Sequence, residues 1–131
     1  MNKIKGVITD IITFDNLSLI TVDVDNVTFS CVVILHEKPF VKIGNFVFLL
    51  FKETEVSIGK NFSINSISLS NKIPCKITKI KKGKILTEIH LSFKGIKSII
   101  TTKSAEIMNL KENDNIIAFI KATEISLMEF K

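Results

Sequence analysis

The chain has 131 residues, 46% of them hydrophobic, with a formal net charge of +5 from 18 basic against 13 acidic residues. Every basic residue is Lys, so the planar, bidentate fork with which Arg grips phosphate or guanine is absent. Cys31 and Cys75 lie in apolar runs, which argues against a disulfide framework and for buried thiols in a reducing compartment. No amino-terminal stretch reads as a leader, and the longest strongly apolar run, Phe46–Phe51, is too short to span a bilayer, so a cytoplasmic protein with no membrane partner is expected.

Short runs rich in Ile, Val, Phe and Thr, bounded by Asn, Asp, Gly or Lys, predict strands in the first half near 3–13, 17–25, 27–35, 46–52 and 54–58. Turn signals stand at Asp15-Asn16 and Asp25-Asn26. Between the third and fourth strands, 35–40 contains Pro39 and lacks a capping hydroxyl, so a helix there is doubtful. Residues 59–70 read as a connector, although the alternation of Phe62, Ile64, Ile67 and Leu69 would also suit a strand extension. The second half repeats the pattern near 72–82, 85–93, 95–101, 115–121 and 123–128. Its one helical signal is 104–110, with Ser104 as N-cap and Glu106 complementing the positive helix end.

The two halves are one unit written twice. Lys52-Glu53-Thr54-Glu55-Val56-Ser57 recurs as Lys121-Ala122-Thr123-Glu124-Ile125-Ser126, an offset of 121 − 52 = 69, and Asn2-Lys3-Ile4 recurs as Asn71-Lys72-Ile73 at the same offset. Agreement at both ends implies equal total loop length and a division into residues 1–62 and 63–131. The expected fold class is all-β: two tandem five-stranded barrels, each with at most one short helix. Units this small gain burial from neighbours, so packing of repeat on repeat and of chain on chain is the physical default. The positive charge is divided unequally, since 1–62 carries 6 Lys against 7 acids and 63–131 carries 12 Lys against 6.

No catalytic constellation is evident, and an enzyme is not expected. His36 and His90 have no Cys or carboxylate at metal-ligand spacing, and read as surface or structural residues. Glu55 and Glu124 sit beside Lys and Thr, where a charge pair explains them. The more informative cluster is Thr101-Thr102-Lys103-Ser104, followed by Lys121-Ala122-Thr123. Hydroxyls at a helix start, unpaired backbone N–H groups and an ammonium concentrate donors with few acceptors, which is what a tetrahedral oxyanion requires. The plainer reading is that Ser104 caps a helix and Lys121 solvates a strand end.

These residues carry a resemblance. The run Ser68-Leu69-Ser70-Asn71-Lys72-Ile73, then Ile99-Ile100-Thr101-Thr102-Lys103-Ser104, then Asn109-Leu110-Lys111-Glu112-Asn113-Asp114, then Ala118-Phe119-Ile120-Lys121-Ala122-Thr123 resembles the molybdate-binding Mop (molbindin, or TOBE) domain. In that family a Ser-x-Arg-Asn segment opens the first strand, Ile-Thr-x-x-Ser starts a short helix, Leu-x-x-Gly turns, and Ile-Lys-Ala/Ser closes the unit. The resemblance covers nearly all of 68–128 and, through the repeat, more weakly 1–58. It implies an OB-like barrel in a di-Mop arrangement, with molybdate or tungstate as the bound ligand between units, and a homo-oligomer, of which a trimer is favoured.

Carried over by position, Ser68 and the backbone around Ser70 and Asn71 would donate to the oxyanion from one unit. Thr102, Lys103, Ser104, Lys121 and the Ala122 N–H would complete the pocket from the same unit or a neighbour. Ser70 stands where the family has Arg, and Asn113 where the turn has Gly. Aligned without gaps, Leu35 replaces Ser104 in the first repeat, while Lys52 persists as a candidate for a mixed pocket. The implied role is storage, buffering or sensing of the oxyanion. The alternatives are an OB-like nucleic-acid-binding module, to which the absence of Trp and Tyr is adverse, and an adaptor for a separate transporter ATPase or transcription factor.

Overall fold

A computed structural model describes residues 1–34, 38–60 and 64–131 of the chain; His36, Leu35 and Phe62 lie outside the described residues. Strand β1 (Asn2–Phe14) turns Asn2, Ile4, Gly6 and Ile8 inward and Lys3 and Lys5 outward, the period of two of a half-buried strand. Its pairing with β2 (Leu17–Val24) jumps from Ile8↔Val22 to Asp10↔Thr21, a bulge at Thr9 that switches the inward parity to Ile11. The same device recurs in β6 (Asn71–Lys82), whose pairing with β7 (Leu86–Leu91) skips Thr78. Both threonine hydroxyls donate to the facing strand, Thr9 to Thr21 O at 3.4 Å and Thr78 to His90 O at 3.2 Å.

The remaining strands are β3 (Val27–Ile34), β4 (Phe46–Phe51), β5 (Ser57–Gly59), β8 (Lys97–Thr101), β9 (Asn115–Ile120) and β10 (Ser126–Glu129). They form two five-stranded antiparallel sheets, in the orders β10-β4-β1-β2-β3 and β5-β9-β6-β7-β8. Each repeat thus supplies five strands, as its pattern predicts, but the fifth crosses into the other repeat's sheet. Ser57 pairs with Phe119 and Ser126 with Leu50. The fifth strands begin later than expected because Glu53–Glu55 and Ala122–Glu124 form single 3-10 turns that make the crossing. In the first turn Glu55 Oε1 accepts from Lys52 N–H at 2.8 Å. The repeated Lys-x-Thr-Glu-x-Ser motif is therefore first of all a crossing turn.

One apolar core runs through both sheets, including Val22, Phe29, Leu49 and Phe51 from the first repeat and Ile73, Ile89, Ile116 and Ile120 from the second. The crossing segments add Val56, Ile125 and Leu127. Polar ties stitch the seam in matched pairs. Asn2 Nδ2 donates to Lys97 O at 2.9 Å while its Oδ1 accepts from Lys97 N at 2.8 Å. Asn71 does the same with Ser30, at 2.9 and 2.7 Å, and also donates to Ile120 O at 3.1 Å. Burial pushes the Cys31 thiol up to about 12 and the Cys75 thiol to about 11, so both stay neutral.

Two local expectations change. Leu17 pairs with Ile34 and Leu86 with Thr101, so the offset across β3 and β8 is 101 − 34 = 67. The first repeat's β2–β3 hairpin is two residues longer, and its β3-to-β4 segment, 35–45, two residues shorter than 102–114, so equal totals conceal compensating changes. The position matching Thr101 is Ile34; Leu35, which the ungapped match sets against Ser104, lies outside the described residues. The helix α1 spans Thr102–Ile107 rather than 104–110, and its N-cap is Thr101, whose Oγ1 accepts from Ser104 N–H at 3.1 Å. Thr101 is the last residue of β8 and keeps extended dihedrals, which is the geometry a cap needs. Glu106 lies in the last turn of α1, not the first, and pairs with Lys82 at 2.6 Å.

Candidate functional site

The donors expected from the sequence fall into two groups. At the base of the second barrel, Asn71 pairs with Ile120, which places Ser70 opposite Lys121 and sets Ala122 at the start of the crossing turn. Ser68, Ser70 and Lys121 are exposed, whereas Asn71 is buried with its amide engaged in the seam, so only its backbone remains for a ligand. At the other end of the barrel, Thr102 is buried at the start of α1. Its Oγ1 lies 2.8 Å from Thr87 Oγ1 and donates to Gly83 O at 2.8 Å, so its role is to fasten α1 to the β6–β7 hairpin. Lys103 and Ser104 are exposed, and Ser104 Oγ accepts from Thr101 Oγ1 at 2.9 Å.

β6 connects the groups. From Asn71 to Lys82, which pairs with Thr87, is 82 − 71 = 11 steps, or about 36 Å of strand contour at about 3.3 Å per residue. Even with the bend at Thr78, that exceeds the span of a tetrahedral oxyanion several-fold. Ser68, Ser70, Asn71, Lys121 and Ala122 are brought together; Thr102, Lys103 and Ser104 are brought together; within one chain the two groups are not.

Lys52 occupies the matching place at the base of the first barrel. It lines a cleft of about 290 Å³ with Glu55, Thr123, Glu124 and Ser126, because the β10 crossing carries second-repeat residues to it. The neighbouring position is Glu53, where the second repeat has Ala122, and Glu53 Oε2 accepts from the Met1 ammonium at 2.8 Å. Sequence reasoning passed over Glu53, although lining up the two copies of the motif shows it as the one charge that differs between Lys52-Glu53-Thr54-Glu55 and Lys121-Ala122-Thr123-Glu124. Asn113, in place of the family's Gly, takes φ +72°, and the first repeat keeps a glycine there, Gly44 at φ +92°. His90 Nε2 lies 2.7 Å from Glu88 Oε2, whose carboxyl is held below its usual range by that contact first and by Lys81 further.

Residues 67–127 match the family model for the TOBE domain. The molybdenum-pterin-binding protein 1 of Clostridium pasteurianum is 36% identical over 66 residues, 48% of this chain and 97% of that protein. The chain belongs to the TOBE-domain (Mop) family. The molybdenum-pterin-binding protein 3 of the same organism is 33% identical over an equal length. A crystal structure of the cytoplasmic molybdate-binding protein ModG, in a form with molybdate bound, superposes at a TM-score of 0.92 and 21% identity, covering 98% of this chain and 96% of that one. At that identity the likeness speaks for the fold, a tandem OB-like arrangement. The curated relatives match about half of this TOBE chain, so the tandem is what distinguishes it from them.

Proposed function

We propose that this tandem TOBE protein binds molybdate or tungstate without chemical turnover, storing, buffering or sensing the oxyanion in the cytoplasm. The observation that carries the reading is the placement of the two donor groups at opposite ends of the barrel that matches the TOBE family. A pocket containing both is completed only when the base of one unit, with Ser68, Ser70, the Asn71 backbone, Lys121 and the Ala122 N–H, meets the α1 end of another, with Lys103 and Ser104. The chain, as units 1–62 and 63–131 that exchange fifth strands, then acts as a homo-oligomer, and three chains would give a ring of six units. Exposed Ile12, Phe14, Leu17 and Ile34 in the first repeat, and Ile85, Leu86 and Ile107 in the second, are apolar surface at the ends such contacts would cover.

Calorimetric titration of the assembled protein with molybdate, tungstate and sulfate tests this. Heat with molybdate or tungstate is expected, and no heat with any of the three from a folded sample sinks the reading. Ser104→Ala should weaken binding by about 1.5–3 kcal/mol, the range for a hydrogen bond to a charged partner. One observation favours the nucleic-acid reading. Phe46 and Phe130 are 52% and 40% exposed, and with Phe48 they form an outward aromatic surface beside Lys3 and Lys5. Those lysines, however, already cover the rings at 4.2–4.5 Å, so stacking a base would displace them. Salt-sensitive binding of a single-stranded oligonucleotide, lost in Phe48→Ala, would favour this second reading.

A further inference from the structure

We propose that Glu53 is the residue that keeps the base of the first barrel from taking an oxyanion, its carboxylate standing as the built-in anion of a cationic cavity. This rests on the oxyanion-binding reading above and assigns its specificity to a single position. The cavity, about 360 Å³, is lined by Asn2, Lys3, Glu53, Lys94 and Lys97 among others, and Glu53 is the one acid that lines it among the described residues. It lies on the seam where the Asn2 amide holds Lys97, the counterpart of the seam where Asn71 holds Ser30. The volume accommodates a tetrahedral ion. The cations that would neutralise it are in place, with Lys94 additionally paired to Asp25.

The two bases differ at Met1 against Ser70, Lys97 against Ser30 and Glu53 against Ala122, and of these Glu53 alone adds a negative charge to the first. The Glu53 carboxyl is held below its usual range, chiefly by its hydrogen bond from the Met1 ammonium and in smaller part by the Lys97 charge, so it is ionised wherever an oxyanion would be offered. A second carboxylate reinforces it. Glu55 occupies the Lys52 N–H, whereas the turn at Ala122 has no such capping bond. A dianion arriving at this base meets a fixed negative charge and a donor already used; at Ala122 it meets a methyl group and an open turn. The cavity that Glu53 lines with Lys94 and Lys97 therefore takes no oxyanion in the wild-type chain.

The test counts bound molybdate per chain by equilibrium dialysis and molybdenum analysis of the full-length assembled protein. Wild type is compared with Glu53→Ala, the near-isosteric Glu53→Gln, the reverse exchange Ala122→Glu, and Glu112→Ala, which removes an exposed acid elsewhere. Melting curves and elution volumes identify the folded variants. Both Glu53 variants should bind one ion more per chain than wild type, Glu112→Ala should match wild type, and Ala122→Glu should lose the ion that wild type holds. A folded Glu53→Gln with the wild-type count overturns the inference, as does an equal gain in Glu112→Ala. Binding by wild type without a gain in the Glu53 variants defeats the inference and leaves the function standing. Binding by the Glu53 variants alone does the opposite, and binding by none defeats both.

Discussion

The bases of the two barrels are built on the same plan and offer a ligand different things. Both have an asparagine clamped into the seam, a lysine at the end of a strand and a 3-10 turn that sends the next strand across. The second base adds Ser70 and Ala122, small groups that leave backbone donors open, while the first has Met1 and Glu53, an ammonium and a carboxylate that satisfy each other. Scaffold residues are thus repeated because the crossing needs them. Candidate site residues need not be repeated, and on the proposed reading the comparison separates the two kinds at adjacent positions of the chain.

The equality of the scaffolds can be broken most severely by removing β10. A variant ending at Glu124 loses the burial of Ile125 and Leu127, which amounts to about 3–6 kcal/mol at about 1.5–3 kcal/mol per side chain. The damage should appear in the other repeat: hydrogen exchange should rise along β4, the strand left with a bare edge, before it rises along β9. Protection lost first in β9 would contradict the crossing.

The seam asparagines give a smaller, graded comparison. Asn71→Ala removes three hydrogen bonds and leaves Ser30 unpaired on both backbone groups, for about 2–4 kcal/mol; Asn2→Ala removes two, for about 1–3 kcal/mol. Denaturant midpoints measured at unchanged m-value would show the order, and a larger loss for Asn2→Ala would mean that the seams are not equivalent.

The smallest effect concerns acid. Lys60, just beyond β5, donates to Asp114 Oδ2 at 3.1 Å and approaches Met108 O and Asn109 O at 3.5 Å, tying a first-repeat segment to the end of α1. The Asp114 carboxyl is held below its usual range, first by the Lys111 N–H and then by Lys60. The folded state therefore binds this proton less readily than the unfolded chain does. The contribution is complete above the ordinary carboxyl value of about 4 and is lost as pH falls through the lowered folded value. The matching residue in the first repeat is Asn45, whose Nδ2 donates to Phe40 O and does not titrate. Amide exchange around 108–114 should quicken in acid while that around 40–45 should not on this account, and Asp114→Asn should abolish the difference.

Much of this was legible in the sequence, for identifiable reasons. Strand positions follow from apolar alternation, which both repeats keep on either side of the Thr9 and Thr78 bulges. The crossing was not legible, because Ser57–Gly59 would pair equally well with either fourth strand by pattern alone, and only the direction of the 3-10 turn decides. The shift of two residues between β3 and β8 was hidden because the β2–β3 hairpin is two residues longer than the β7–β8 hairpin, while 35–45 is two residues shorter than 102–114. The N-cap was misread by three residues because Thr101 and Ser104 both carry hydroxyls. Which of them caps depends on where β8 stops, a tertiary matter. Among the candidate site residues, Asn71 was read as a backbone donor and its side chain is taken up by the seam, whereas the Thr102 hydroxyl, read as part of the donor cluster, is engaged in holding α1.

The crossed fifth strands also set an order of events during synthesis. Ser126 pairs with Leu50, so the open flank of β4 is covered by a strand made 126 − 50 = 76 residues later. A nascent chain that has finished its first repeat still presents the unpaired amides and carbonyls of β4, together with the apolar side chains that Ile125 and Leu127 will cover. Until the second repeat emerges, that flank can pair with any neighbouring copy on the same messenger, and a chaperone that shields strand edges would matter most during this interval.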